Sequence, residues 1–100
     1  MSTEETFRQI YEQTYRKTAA QITVGARQIS DAADLIQEVY LELYRIISRR
    51  GTAYIQNPDA MVAKLVRQTM ARYYKTMGKR HEVYEEPSED GITADQADIE

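Results

Sequence analysis

Apolar residues recur at three- and four-residue steps in three segments of this chain, and no segment alternates apolar and polar residues as a strand would. The pattern is clearest between residues 30 and 48, where at 100° per residue an arc of about 140° is apolar. That arc contains Ala32, Leu35, Ile36, Val39, Tyr40, Leu43, Ile46 and Ile47. The spacing therefore predicts a helix with one face in a core.

The segments on either side predict two further helices. The first runs from about Thr3 to Thr23, stops near Gly25, and has on one side Phe7, Ile10, Tyr11, Tyr15, Thr18 and Ile22. In the third, Asn57 suits the N-cap and Pro58 the first helical position. Its apolar side comprises Val62, Ala63, Val66, Met70, Tyr73, Tyr74 and Met77. The expected fold is all-α, a compact bundle of three principal helices.

The sequence also predicts the three remaining helix ends. Ser30 or Asp31 can cap the second helix, which is expected to reach about Ser48 before Gly51. The third helix is expected to end at about Met77, before Gly78.

Charge divides the chain into two parts. Residues 1–81 hold 13 Lys and Arg against eight Asp and Glu, which gives +5, and residues 82–100 hold eight acids and no base, which gives −8. We therefore expect a basic helical domain over 1–81 and a disordered acidic tail over 82–100. The tail is either a solvated linker or a segment that shields the basic helix.

The composition excludes several classes of function. The chain has no cysteine, and His81 is its only histidine, so we expect no disulfide, no metal and no cofactor. Its carboxylates are predicted on an outer helix face, without the buried pocket that tunes a general acid or base, so it is not expected to be an enzyme. The polar N-terminus and the lack of a long apolar run predict a cytoplasmic protein without membrane insertion.

Each of two helices has one charged face. In the second helix, an acidic arc surrounds Leu41 and comprises Asp31, Asp34, Gln37, Glu38, Glu42 and Arg45. In the third, the arc comprises Lys64, Arg67, Gln68, Arg72 and Lys75, and residues 61–81 contain no acid. Both arcs could be ordinary solvated faces. Cations without acidic neighbours repel one another, however, and a phosphate backbone would relieve that repulsion.

The connection between these helices contains basic, aromatic and amide side chains, namely Arg49, Arg50, Tyr54, Gln56 and Asn57. Such side chains can stack on unpaired bases and bond to their edges. The alternative is a plain surface loop with Tyr54 or Ile55 packed into the core.

The acidic helix also carries a recognisable motif. Residues 34–38, DLIQE, are identical to a stretch of the primary sigma factors, and DAADLIQEVYLELYR resembles the AEDLVQEVFLRLW pattern in region 2 of extracytoplasmic-function (ECF) sigma factors of the bacterial sigma-70 family. Downstream, MVAKLVRQTMARYYKTMGKR is similar to the family pattern WLYRIARNLALDYLRR, and FRQIYEQTYRKTAAQI resembles the family's first helix. The resemblance covers roughly residues 6–81, and the tail resembles the family's variable acidic linker.

The resemblance implies a transcription initiation factor domain that docks on the coiled-coil clamp of the RNA polymerase β′ subunit. The docking residues it implies are Asp34, Gln37, Glu38, Leu41, Glu42 and Arg45. It also implies recognition and melting of the −10 promoter element, with capture of a flipped base of the non-template strand. The DNA-binding residues expected on this basis are Arg49, Arg50, Tyr54, Lys64, Arg67, Gln68, Arg72, Tyr73, Lys75, Lys79 and Arg80. An anti-sigma factor is a further partner of such domains.

Three positions depart from the family pattern. Met61 stands where tryptophan is usual, Gln68 replaces asparagine, and Arg72 replaces aspartate, so the promoter sequence preference is not carried over. The family's C-terminal helix-turn-helix region is not in these 100 residues. Two other readings therefore stay open: a polymerase-binding regulator without promoter recognition, and an unrelated helical protein that reads duplex DNA.

Overall fold

Three helices make up the part of the chain that the computed structural model describes, which is residues 2–82 for the backbone and 2–78 for the side chains. They are α1 (Thr3–Gly25), α2 (Ile29–Arg50) and α3 (Pro58–Glu82), and each packs against the other two. No strand occurs within this range, so the prediction of an all-α fold with three principal helices is confirmed. None of the described helices combines the length and apolar character that crossing a membrane requires.

The start of α3 and the end of α2 are formed by the residues that the sequence predicts. Asn57 Oδ1 accepts a hydrogen bond of 3.1 Å from the Ala60 amide, as an N-cap side chain should. Gly51 follows α2 with φ 97°, a left-handed conformation in which a side chain would be strained, and its amide donates to the Ile47 carbonyl.

Two predicted helix ends are wrong. α2 begins at Ile29, with Gln28 as an N-cap that makes no side-chain bond, so neither Ser30 nor Asp31 caps it. The Asp31 carboxylate instead accepts a hydrogen bond from a side chain of α3. Gly78 does not end α3, because a glycine without positive φ weakens a helix by only about 1 kcal/mol relative to alanine.

The proposed tail falls almost wholly outside the described residues. Glu82, its first residue, is the last residue of α3. Residues 83–100 lie beyond the described range, so disorder in the tail stays a prediction.

The core lies where the three apolar faces meet. Its most deeply buried apolar side chains include Ile22 of α1, Val39 and Leu43 of α2, and Val62 of α3. Leu65 is also buried, although the predicted apolar side of α3 did not include it, and Tyr74 of that predicted side is half exposed. The core fixes the rotation of α2 and so determines which of its residues face solvent.

A buried polar contact joins α1 to α2. The Tyr40 hydroxyl lies 2.7 Å from Thr14 Oγ1 and donates to Thr18 Oγ1 at 3.1 Å, while Thr14 Oγ1 also donates to the Ile10 carbonyl. Because buried hydroxyls are costly without partners, this arrangement favours one register of the two helices.

Candidate functional site

The acidic arc of α2 faces solvent except at Asp31, which is partly buried. Asp34, Gln37, Glu38 and Arg45 are exposed, Leu41 is 46% exposed, and Glu42 is partly buried. The predicted docking residues therefore lie on one accessible surface, which we call the acidic face. Leu41 belongs to this face, one turn from both Gln37 and Arg45.

An ion pair reduces the charge at one end of the acidic face. Arg45 Nη1 lies 3.2 Å from Glu42 Oε1, the only salt bridge within the described residues. A surface pair of this spacing contributes about 0.2–0.5 kcal/mol to the helix. The pair also neutralises the charge of Glu42, so Asp34 and Glu38 are the acidic side chains of the face without a cationic partner in the described residues.

The basic arc of α3 is also exposed. Lys64, Arg67, Gln68, Arg72 and Lys75 are all accessible, and none of the four cations joins a salt bridge within the described residues. At 1.5 Å per residue, Lys64 and Lys75 are about 16 Å apart along the helix, which matches about five nucleotide steps of one strand. The arrangement can therefore contact a phosphate backbone at several points. Lys79 and Arg80 belong to α3, but their side chains lie outside the described range.

Tyr73, a predicted DNA-binding residue, uses its hydroxyl inside the protein. It donates to Asp31 Oδ2 at 2.8 Å and accepts from the Arg27 amide at 2.9 Å. Desolvation raises the pKa of the Tyr73 phenol, and the bond to the Asp31 carboxylate acts in the same direction. The hydroxyl therefore stays protonated and joins α3 to the start of α2, so only the ring is left for a partner.

The loop between α2 and α3 presents Tyr54 to solvent. Tyr54 is 48% exposed, whereas Ile55 is partly buried and packs on the core, so Ile55 is the residue that anchors the loop. The Arg50 guanidinium carbon lies 5.2 Å from the centre of the Tyr54 ring, within the range of a cation–π contact. Arg49 is also exposed, and both arginines lie in the last turn of α2 rather than in the predicted connection. A cation and an accessible ring side by side can bind a phosphate and stack on a base.

A groove between α1 and α2 lies next to the acidic face, and the sequence did not predict it as a site. We call it the aromatic groove; its volume is about 460 Å³, and it is lined by the rings of Phe7, Tyr11, Tyr15, Tyr40 and Tyr44. Neighbouring rings have centroids 4.7 to 6.3 Å apart, the range of favourable aromatic contacts. Gln37 and Leu41 form part of its wall, so the groove and the acidic face share two residues.

The signal for the groove was present in the sequence. Phe7, Tyr11 and Tyr15 are spaced four residues apart, as are Tyr40 and Tyr44, which makes two aromatic rows along helices. Periodicity alone assigned most of these rings to the core. Only the packing of α1 against α2 shows that Tyr15 and Tyr44 stay partly exposed.

Comparisons with known proteins do not assign the chain to a family. No family model, no curated protein and no solved structure matches it. Within the described residues, no group of three or more histidine, cysteine or carboxylate side chains is placed to hold a metal ion. A functional interpretation must therefore rest on the acidic face, the basic arc and the loop.

Proposed function

We propose that this chain is the polymerase-docking and −10-recognising domain of an ECF-like sigma factor. Its acidic face binds the coiled-coil clamp of the RNA polymerase β′ subunit. The exposed cations of α3 bind promoter phosphates, and the loop around Tyr54 receives an unpaired base of the non-template strand. The domain is not an enzyme; it directs polymerase to promoters.

One observation carries the proposal most strongly. Asp34, Gln37 and Glu38, the polar residues of the DLIQE motif, are all exposed on one face of α2, while Leu35 of the same motif is buried. Packing in the core accounts for Leu35, whereas the exposed carboxylates and amide of the motif are available to a partner. An exposed acidic face suits a basic partner, because complementary charge accelerates association and selects the partner.

The basic arc supports the DNA-binding half of the proposal. Its cations have no acidic partners within the described residues, so they are available to phosphates, and binding would release counterions. Extraction of a base from a duplex costs a few kcal/mol, which stacking on an exposed ring can offset. Tyr54 beside Arg50 supplies such a ring.

The docking half predicts that charge reversal on α2 weakens binding to a β′ clamp coiled coil. Asp34→Lys and Glu38→Lys together should weaken it by at least about ten-fold, because like charges then face each other. Titration calorimetry with the isolated coiled coil measures the effect. Asp59→Lys makes the charge change of one of these two substitutions at an exposed position on α3 and should bind like the unmodified protein. Equal affinity of all the variants would eliminate the docking assignment.

The DNA-binding half predicts a change in salt dependence. With core polymerase present, Lys64→Ala with Arg67→Ala should weaken binding of a single-stranded −10 oligonucleotide. The salt slope should fall by about 1.4, since each lost phosphate contact contributes about 0.7. Arg16→Ala with Lys17→Ala removes the same charge from exposed positions on α1 and is the control.

The two outcomes of this measurement separate the readings. A slope that falls equally in both double variants would mean that only net charge matters, against a binding face on α3. Equal affinity for oligonucleotides of different sequence would favour a polymerase-binding regulator without promoter recognition.

A further inference from the structure

We propose that the aromatic groove is part of the docking surface and receives an apolar side chain from the helical partner that the acidic face binds. The proposal rests on the proposed function, because it takes that partner to be the β′ clamp coiled coil. It adds α1 to the interface and assigns Tyr15 and Leu41 as residues that determine affinity.

The first argument is the composition of the groove. Its wall is almost entirely aromatic and aliphatic, and three of its large apolar side chains are exposed: Tyr15 at 38%, Leu41 at 46% and Tyr44 at 37%. Tyrosine is enriched among the residues that dominate interface energetics, because its ring gives a large contact area with few rotatable bonds. With a volume of about 460 Å³ the groove has room for bulky side chains.

The second argument is charge. Asp34 and Glu38 lie beside the α2 wall of the groove and have no cationic partner within the described residues. An occupant must therefore carry cations close to its apolar anchor. A coiled-coil segment with an exposed apolar residue between Lys or Arg residues meets this requirement, since residues three or four apart share a helix face.

The same charge argues against the chain's own tail as the occupant. Residues 83–100 contain acids and no base, so the acidic face would repel them. A second copy of the protein could offer the basic arc of α3, and the experiment below includes that outcome.

Leu41 connects the two parts of the surface. It belongs to the acidic face by its position on α2 and to the groove by contact, which places an apolar residue where charged and aromatic parts meet. An apolar centre surrounded by polar groups is the usual arrangement of a binding hot spot, because the surrounding groups exclude water.

The test uses the full chain and an isolated β′ clamp coiled coil, with affinity and heat capacity change measured by calorimetry. Leu41→Ala and Tyr15→Ala should each weaken binding about five-fold or more and make the heat capacity change less negative, because less apolar surface is buried. Ile29→Ala and Val24→Ala are the controls, since both residues are exposed apolar side chains and lie outside the groove. Both controls should bind like the unmodified protein.

The outcomes distinguish the two proposals. If Leu41→Ala and Tyr15→Ala bind normally while reversal of Asp34 and Glu38 abolishes binding, docking is polar and the groove proposal is overturned, but the proposed function stands. If neither set affects binding, the proposed function fails as well. If the groove variants instead change the sedimentation of the free protein, the occupant is a second copy. Thermal unfolding of each variant confirms that a loss of binding is not a loss of fold.

Discussion

Leu43→Ala is expected to lower the free energy of unfolding by about 2–5 kcal/mol, because it removes buried methyl groups and leaves a cavity. Leu43 is 0% exposed, at the centre of the α2 face that contacts the other two helices. A domain of this size has a total stability of about 5–15 kcal/mol, so the variant will be near the limit of folding. Urea unfolding followed by circular dichroism measures the loss.

The matched control for this prediction is two residues away. Leu41→Ala makes the same chemical change on the same helix, but Leu41 is 46% exposed and the loss should stay within about 0.5 kcal/mol. The contrast tests the rotation of α2, on which the acidic face depends. If both substitutions lower the free energy of unfolding by the same amount, α2 is not rotated in this way and the acidic face is not on its solvent side.

Tyr40→Phe is expected to cost about 1–3 kcal/mol, although it removes one oxygen atom and no carbon. The lost hydroxyl lies between Thr14 and Thr18, and without it Thr18 Oγ1 loses its Tyr40 donor in a buried site. Chemical denaturation gives the size of the effect. Tyr44→Phe is the control, because the Tyr44 hydroxyl donates to the Glu4 carboxylate in a long bond of 3.4 Å at the surface.

Tyr40 also matters for the groove. Its ring forms part of the groove wall and contacts the Tyr11 ring at 4.7 Å, while its hydroxyl is held by α1. Because these contacts already hold the ring in place, little conformational entropy is lost when a partner binds. Loss of the hydroxyl should therefore leave the shape of the groove intact but make it less rigid. If Tyr40→Phe lowers the free energy of unfolding by less than about 0.5 kcal/mol, the buried hydrogen bonds contribute little to stability.

The helix ends show which predictions local sequence can support. Asn57 was correctly predicted as an N-cap because its partner, the Ala60 amide, is three residues away. Asp31 was wrongly predicted as a cap, because its carboxylate instead accepts a hydrogen bond from Tyr73, 42 residues away. The bond from the Tyr73 hydroxyl to Asp31 was not predicted for the same reason, and DNA binding by Tyr73 stays a prediction.

The charged faces were predictable, and the groove was not. Once the apolar residues of α2 lie in the core, helix geometry alone turns Asp34 and Glu38 outwards. The groove needs two helices at a particular separation and rotation, and neither quantity can be calculated from the residues of one helix. Its aromatic rows were visible, but their partial exposure was not.

Periodicity within each segment determined the three helices, their buried sides and the segregation of acidic from basic residues, because these follow from 3.6 residues per turn. Tertiary structure alone decided that Tyr73 bonds to Asp31, that Ile55 rather than Tyr54 anchors the loop, and that Leu41 lines a groove with three rings of α1. Each of these contacts joins residues far apart in the sequence, and its geometry depends on how the helices pack rather than on how they form.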